Sequence, residues 1–298
     1  MMTVTGTTRV LGIIGSPVGH SLSPVMQNAA IAALGIDYIY VPFPVEPEYL
    51  ARAVEGLRRI GVWGFNVTIP HKTAVIKFLD RISPDAERCG AVNTVCREGD
   101  LLIGHNTDAT GFLHSLVRDL SFAPRGASVM LLGAGGAAQA AISALSAAGV
   151  ARIVIANRTL HKARFLAERF AGLFPLVDYA VSSLDETDLN RHGEGADLLV
   201  NTTSVGMNGT NFEYDSFLES CAKCLVYDMV YTPAETPLLA AARRLGLRCA
   251  NGAGMLVSQV RLLSGSGRES SRPRASCGTP CSGNLNRQQN LDIRGLSK

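Results

Sequence analysis

The sequence predicts a two-domain α/β protein with mainly parallel sheets, and three observations support this fold class. Short apolar runs alternate with helix-forming stretches along the chain, which is typical of βαβ units. The chain has 298 residues, 47% of them hydrophobic, which is enough for two domains with separate cores. A glycine-rich segment near the middle follows an apolar strand and precedes an alanine-rich helix, as in doubly wound folds.

The N-terminal part of the chain alternates between predicted strands and helices. Arg9–Gly15 is a short apolar strand, and Val25–Leu34 is rich in helix formers. Pro24 suits the first turn of that helix and Ser23 its N-cap, which presents Ser21 and Ser23 at a helix N-terminus. The elements expected next are the strand Tyr38–Val45, the helix Pro47–Arg59 and the strand Gly64–Ile69.

Polar side chains collect where the N-terminal strands end. The segment 65–72 carries Asn66, Thr68, His71 and Lys72. Two further polar segments, 91–94 and 105–111, flank a predicted hairpin that turns at residues 98–100. Any one of these groups could be an Asx turn or a helix cap. Their repetition at strand ends, where ligands of open α/β sheets bind, indicates a binding site.

A dinucleotide-binding segment is predicted between residues 128 and 159. The apolar strand Val129–Leu132 leads into Gly133, Gly135 and Ala138 at the spacing G-x-G-x-x-A, and an alanine-rich helix follows over Ala137–Ala148. The first glycine permits a tight turn, the second lets the backbone approach a pyrophosphate, and the third small residue lets helix and strand pack closely. A second strand is expected over residues 152–156. This pattern predicts a Rossmann domain.

The end of the second strand favours NADP over NAD. NAD-specific sites usually have a carboxylate there for the ribose 2′-hydroxyl, whereas a 2′-phosphate requires positive charge. This chain has Asn157, Arg158 and Thr159, with Lys162 one helical turn further on. A guanidinium can donate two parallel hydrogen bonds to phosphate. The alternative interpretation is that Arg158 and Lys162 are solvated residues at a helix start.

The remaining elements complete a second α/β unit. They are the strands Ala196–Asn201 and Leu225–Val230 and the helix Pro237–Leu245, after which Leu247–Ala250 returns towards the C-terminal motif. The seven cysteines are scattered through predicted elements, which fits reduced thiols better than a disulfide framework. Cys221 and Cys224 form a CxxC without a second pair at metal spacing, so we expect no metal site.

Charge and hydropathy bear on partners and location. The net charge is +3, but residues 260–298 carry six arginines and one lysine against two acids, so the rest of the chain is close to neutral. We therefore expect no nucleic-acid partner and no membrane surface. The apolar runs are shorter than a membrane span, and the N-terminus lacks a signal-peptide pattern, so we expect a cytoplasmic location.

Seven short motifs occur in one order along the chain: Ser21–Pro24, Asn66–Lys72, Ala91–Thr94, Asn106–Asp108, Gly133–Gly136, Asn157–Thr159 and Gly254–Gln259. Together they resemble the shikimate dehydrogenase family, from about Arg9 to Gln259. The resemblance implies a substrate-binding domain over residues 1–108 and 247–263 and a Rossmann NADP-binding domain over 109–246. It implies an active site in the cleft between them, and a homodimer is possible.

The resemblance also implies roles for individual residues. The catalytic pair is matched by Lys72 and Asp108, and transfer of a hydride to or from an alcohol carbon does require a group that moves the hydroxyl proton. Positions that hold the substrate are matched by Ser21, Ser23, Asn66, Thr68, Lys72, Asn93, Asp108 and Gln259. Positions that contact NADP are matched by Gly133, Ala134, Gly135, Gly136, Ala137, Asn157, Arg158, Thr159, Lys162, Met207, Tyr231, Gly252 and Met255.

Two alternatives to an NADP-dependent shikimate dehydrogenase are open at this point. One is a quinate/shikimate dehydrogenase of the same family that uses NAD or NADP. The other is a non-catalytic NADP-binding sensor on the same fold, because fold does not imply function. The presence of both Lys72 and Asp108 counts against the sensor.

The C-terminal segment departs from the family. After residue 263 the sequence is rich in Gly, Ser, Arg and Pro, so we expect residues 264–298 to be a disordered or aberrant tail. We interpret it as the product of a shifted reading frame, because the resemblance and the composition change at the same point. Translation of the coding DNA after codon 259 in the other two frames tests this. An apolar-periodic helix of about 15–20 residues supports the interpretation, and its absence in both frames contradicts it.

Overall fold

The computed structural model describes residues 3–208, 210–212, 217–221 and 223–255. Gln259 and the predicted tail, 264–298, lie outside the described residues, so the expectations about them stay predictions. Within the described residues, no helix has the length and apolar character needed to cross a membrane.

The N-terminal half contains one six-stranded sheet with helices around it. Its strands are β1 (Arg9–Gly15), β2 (Tyr38–Pro44), β3 (Gly64–Val67), β4 (Arg81–Ile82), β5 (Thr94–Glu98) and β6 (Leu101–His105). Its helices are α1 (Ser23–Leu34), α2 (Leu50–Arg59) and α3 (Pro84–Cys89), with 3-10 turns at Pro47–Tyr49 and Ala74–Phe78. The strand order is β2-β1-β3-β5-β6-β4.

This first sheet is mainly parallel, as predicted. β1 runs parallel to β2 and β3, and β4 runs parallel to β6. Only β5 is antiparallel to its neighbours, because a hairpin joins it to β6. That hairpin turns at Gly99 with φ 61°, inside the predicted turn at residues 98–100.

The remainder of the described chain contains a second six-stranded sheet. Its strands are β7 (Ser128–Leu132), β8 (Arg152–Ala156), β9 (Asp178–Ser182), β10 (Leu198–Asn201), β12 (Leu225–Asp228) and β13 (Cys249–Asn251), and the short strand β11 (Val205–Asn208) lies outside the sheet order. The helices are α4 (Asp108–Leu120), α5 (Gly136–Ala147), α6 (Leu160–Leu173), α7 (Glu186–Gly193), α8 (Phe217–Ser220) and α9 (Pro237–Arg244).

The second sheet has the Rossmann topology that the glycine-rich turn predicts. Its order is β13-β12-β10-β7-β8-β9, and all neighbours are parallel, which is the doubly wound order. In β7, Val129 and Leu131 pack in the core on one face, while Met130 and Leu132 pack in the core on the other. The continuous apolar run is therefore a strand buried on both faces.

Two sequence-based expectations need correction. β13 pairs with β12 along Val226–Asp228, so the second sheet extends to Asn251, and the predicted return to the substrate-binding domain at residue 247 is too early. Ser23 is the first residue of α1 rather than its cap: Leu22 occupies the N-cap position, and no side chain caps this helix. Instead Oγ of Ser21 accepts a hydrogen bond from the backbone N–H of Ser23 at 3.2 Å.

Candidate active site and cofactor site

A cavity of about 140 Å³ is lined by residues from both parts of the fold. Seven of the eight predicted substrate-binding residues line it, the eighth being Gln259, outside the described residues. Four predicted cofactor residues also line it, together with three residues that the sequence did not indicate. The lining consists of Ile13, Ser21, Ser23, Asn66, Val67, Thr68, Lys72, Asn93, Asp108, Ala137, Met229, Tyr231, Gly252 and Met255.

The two predicted catalytic residues form an ion pair in this cavity. Nζ of Lys72 donates to Oδ2 of Asp108 at 2.6 Å, and the side chains are only 17% and 4% exposed. A charge pair this sheltered interacts more strongly than one at the surface. The ammonium group is therefore held in one place, with a carboxylate on one side and the cavity on the other.

Asp108 is fixed by the segment that precedes it. It is the first residue of α4, where a carboxylate interacts favourably with the helix dipole. Oδ1 of Asn106 accepts hydrogen bonds from the backbone N–H groups of Asp108 at 3.0 Å and Ala109 at 3.3 Å. Nδ2 of Asn106 donates to the carbonyl of Ala91 at 2.8 Å. Asn106 therefore forms an Asx-type turn, and this turn orients Asp108 in the cavity.

Asn93, in segment 91–94, binds the residue that precedes Asp108. Its Oδ1 accepts from the backbone N–H of Thr107 at 2.9 Å, and its Nδ2 donates to Oγ1 of Thr107 at 3.0 Å. The backbone of Lys72 joins this region as well, because its carbonyl accepts from Val92 N at 2.8 Å. The three polar motifs that follow strands in the sequence therefore form one hydrogen-bonded unit.

Tyr40 is a supporting residue that sequence reasoning missed. Its ring is buried, and its hydroxyl donates to Oδ1 of Asn66 at 2.6 Å. Nδ2 of Asn66 donates to the carbonyl of Asn93 at 3.2 Å and to Oγ1 of Thr94 at 3.0 Å. Burial raises the pKa of Tyr40, so its hydroxyl stays a neutral donor. The orientation of the Asn66 amide is consequently set from both ends.

We expect Tyr40→Phe to weaken substrate binding without slowing the chemical step. The change removes one hydrogen bond to Asn66, worth about 1 kcal/mol, so KM for the substrate should rise roughly fivefold. Turnover should stay within about twofold, because Tyr40 does not contact the Lys72–Asp108 pair. Tyr38→Phe on the same strand is the control, since its hydroxyl accepts from Arg9 at the surface. Equal KM values for the two variants would contradict this role.

The glycine-rich turn has the geometry that a pyrophosphate requires. Gly133 has φ 109°, and a Cβ there would lie 2.7 Å from Oγ1 of Thr202. Gly135 precedes the first turn of α5, and a Cβ there would project into open space with no atom within 4 Å. Free backbone N–H groups at a helix N-terminus bind phosphate groups. The turn therefore fits a dinucleotide.

The start of α5 also contacts the candidate catalytic lysine. A Cβ at Gly136 would lie 3.2 Å from Cβ of Lys72, so a side chain at this position would press on Lys72. The next residue, Ala137, lines the cavity. The dinucleotide-type turn and the polar site thus meet at Lys72.

The remaining predicted cofactor residues lie between β8 and α6, on the first turn of α6 and in β11. Nδ2 of Asn157 donates to the carbonyl of Thr159 at 2.9 Å, which closes the turn after β8. Arg158 and Lys162 are exposed there, with no carboxylate hydrogen-bonded to them among the described residues. Met207 lies in β11, outside the cavity lining. A cationic edge without carboxylates fits a 2′-phosphate.

Asp228 organises the segment after β12 that lines part of the cavity, and sequence reasoning missed it. Its buried carboxylate accepts hydrogen bonds from Asn201 at 2.9 Å, Val230 N at 3.0 Å and Thr236 at 2.6 Å. Burial raises the pKa of this carboxyl, and the three hydrogen bonds oppose the shift. The network fixes the backbone after β12, from which Met229 and Tyr231 reach the cavity.

The CxxC cysteines lie away from this site. Cys221 and Cys224 are buried in the core on one face of the second sheet and carry free thiols. Within the described part of the chain, no group of three or more His, Cys, Asp or Glu side chains is arranged to hold a metal ion.

Comparison with known proteins identifies the family. Residues 13–95 match the family model described as the shikimate dehydrogenase substrate binding domain, and residues 117–207 match the model described as shikimate / quinate 5-dehydrogenase. A protein of Geobacter metallireducens named shikimate dehydrogenase (NADP(+)) is 58% identical over 258 residues, which cover 87% of this chain and 90% of the relative. The chain belongs to the shikimate dehydrogenase family.

Solved structures of family members agree with the fold. The enzyme of Thermus thermophilus, crystallised with NADP(H) and shikimate, superposes with a TM-score of 0.74 at 34% identity and covers 86% of this chain and 91% of that one. The enzyme of Listeria monocytogenes, crystallised with shikimate and NAD, superposes with a TM-score of 0.76 at 35% identity and covers 86% and 90%. Both likenesses cover most of this chain.

Proposed function

We propose that this protein is an NADP-dependent shikimate dehydrogenase that interconverts 3-dehydroshikimate and shikimate. The observation that carries this proposal is the sheltered Lys72–Asp108 pair, which lies in the cavity and contacts the first residue of the dinucleotide-type helix. Family membership and the NADP-dependent relatives support the same activity. The product places the enzyme on the route to aromatic amino acids.

Lys72 is the proposed acid–base group. Bound NADP supplies the hydride acceptor for shikimate oxidation and, when reduced, the donor for the reverse reaction. During oxidation the neutral Nζ amine of Lys72 takes the proton of the reacting hydroxyl. During reduction the Nζ ammonium returns that proton and stabilises the negative charge that develops on the oxygen. Asp108 accepts a hydrogen bond from Nζ, which keeps the amine pointed at the cavity.

The other polar lining residues are proposed to bind substrate. Ser21, Ser23, Asn66, Thr68 and Asn93 carry hydroxyls and amides that suit a carboxylate and several hydroxyl groups. Four of them belong to a connected network or a helix start, so little side-chain entropy is lost when substrate binds. Gln259 is predicted to complete this set of substrate-binding residues. A cytoplasmic location and a homodimer also remain predictions.

The cofactor preference is proposed from the edge of β8. In this proposal the backbone groups of residues 133–137 hold the pyrophosphate. Arg158, Thr159 and Lys162 hold the 2′-phosphate. The Listeria structure contains NAD, so at least one protein with this fold binds that cofactor. The cationic edge of this chain favours NADP.

A quinate/shikimate dehydrogenase is the alternative that one finding favours, because the second family model covers both substrates. Measuring kcat/KM for shikimate and quinate, each with NADP+ and NAD+, distinguishes the two. We expect kcat/KM for shikimate with NADP+ to exceed kcat/KM for each other combination by at least about tenfold, because one mispaired buried polar contact has an effect of this size. Comparable values for quinate would favour the alternative.

A further inference from the structure

Arg169 joins the two domains and is not part of the cavity lining. It lies on α6 of the second domain, and its guanidinium donates to three backbone carbonyls of α3 in the first domain. Nη1 bonds to the carbonyl of Cys89 at 3.0 Å, and Nη2 bonds to those of Glu87 at 2.9 Å and Arg88 at 2.8 Å. Nη1 also donates to Oε1 of Gln139 on α5 at 3.1 Å. One side chain thus connects three helices.

The contact has the features of a specific fit. The last carbonyls of a helix have no partner within the helix, and a cation there also interacts favourably with the helix dipole. Arg169, from the other domain, supplies both the hydrogen-bond donors for these carbonyls and the cation. The guanidinium lies against Gly90, the left-handed residue that ends α3: a Cβ at this position would lie 2.5 Å from Nη1 of Arg169. A planar guanidinium suits three closely spaced carbonyls in a way that an ammonium does not.

Both elements joined by Arg169 lead into the active site. α3 continues through Gly90 into residues 91–93, and the Ala91 carbonyl and the Asn93 side chain hold the segment that carries Asp108. α5 begins at Gly136, which contacts Lys72, and Gln139 lies one turn further on. A shift of α3 relative to α5 would therefore move the substrate side of the site relative to the cofactor side.

We propose that Arg169 is a positioning residue that locks α3 against α5 and so sets the distance between the Lys72–Asp108 pair and the dinucleotide turn. It touches neither cavity nor cofactor residues and acts through the two helices. The inference rests on the proposed function for its catalytic consequence. Its structural consequence, a closed α3–α5 contact, can be measured without catalysis.

Cys89 reports on that contact directly. Its thiol is 1% exposed and hydrogen-bonds with Ser143 of α5. Burial raises its pKa to about 11, so the thiol is both shielded and protonated near neutral pH. Cys221 and Cys224 are equally buried but lie in a different core. They serve as internal references that respond to global unfolding and not to opening between α3 and α5.

The experiment compares Arg169→Met with Arg164→Met, which changes an exposed arginine on the same helix. Iodoacetamide alkylation of each cysteine is followed by peptide mass spectrometry in the full-length protein without ligands. We expect Cys89 to react about tenfold faster or more in Arg169→Met, since several charge-assisted hydrogen bonds are lost, with the Cys221 and Cys224 rates unchanged. Arg169→Lys should fall between wild type and Arg169→Met.

Kinetics test the catalytic consequence. Because each ligand is held mainly by one domain, dissociation constants for shikimate alone and NADP+ alone should stay within about twofold, whereas turnover should fall about tenfold. The proposal is overturned if Cys89 reacts no faster than in Arg164→Met, if all three cysteines accelerate together, or if turnover holds. If Arg169→Met does not fold, Arg169→Lys is judged by the same criteria. A wild-type protein without activity contradicts the proposed function instead, and the alkylation rates still decide whether Arg169 closes the contact.

Discussion

Replacing Lys72 with alanine should lower the turnover of shikimate oxidation by about 100-fold or more, a far larger effect than the accompanying rise in KM for shikimate. General acid–base catalysis and charge stabilisation act in the transition state, so their loss appears in kcat rather than in ground-state binding. Nζ of Lys72 is sheltered in the cavity, 2.6 Å from Oδ2 of Asp108. Steady-state rates over a range of shikimate concentrations give both constants.

The matched control is Lys77→Ala, which removes an exposed lysine from the 3-10 turn that follows the same motif. It should leave both constants near those of wild type. Because Lys72→Ala leaves the buried Asp108 carboxylate without its ammonium, thermal unfolding of both variants must be compared to exclude loss of the fold. A rise in KM at constant turnover would make Lys72 a binding residue and would contradict the proposed chemistry.

Replacing Arg158 with alanine should weaken NADP+ binding by roughly 10- to 150-fold and leave NAD+ binding nearly unchanged. The 2′-phosphate is the feature that distinguishes the two cofactors, and a charge-assisted contact to it is worth about 1.5–3 kcal/mol. Arg158 is exposed at the end of β8, so the substitution should not disturb the fold. Titration of each cofactor against the quenching of protein fluorescence provides the dissociation constants.

Arg164→Ala is the control for this experiment, because it removes a positive charge from a position further along the same helix, α6. If both variants weaken NADP+ binding by the same small factor, the loss reflects a general attraction between a cationic surface and a phosphate. If Arg158→Ala weakens the binding of NADP+ and NAD+ equally, Arg158 contacts a part common to both cofactors. The proposed basis of cofactor selectivity then fails.

Much of the fold and the site was predictable because it depends on local sequence patterns. The apolar run of β7, the glycine turn and the alanine-rich helix specify a strand–turn–helix unit from neighbouring residues alone. The polar motifs at strand ends were also predictable, since the carboxyl ends of parallel strands lie at one edge of a sheet. Seven of these predicted substrate residues line one cavity.

The contacts that were missed depend on the order of the strands in space. Tyr40 reaches Asn66 because β2 and β3 lie on either side of β1, and no pattern in β2 marks that neighbour. β13 was assigned to the wrong domain because a three-residue strand carries little periodicity, and its partner β12 determines its place. Arg169 meets α3 across 80 residues of sequence, which makes it indistinguishable from any half-exposed arginine on an amphipathic helix.

The central claim is that this chain transfers a hydride between shikimate and NADP+, and the most direct test follows the near-ultraviolet absorbance of NADPH. The purified full-length protein is mixed with shikimate and NADP+, and the product is identified by mass spectrometry. The account predicts that NADPH forms catalytically, with one 3-dehydroshikimate for each NADPH. A folded protein that binds both ligands but forms no NADPH would contradict it.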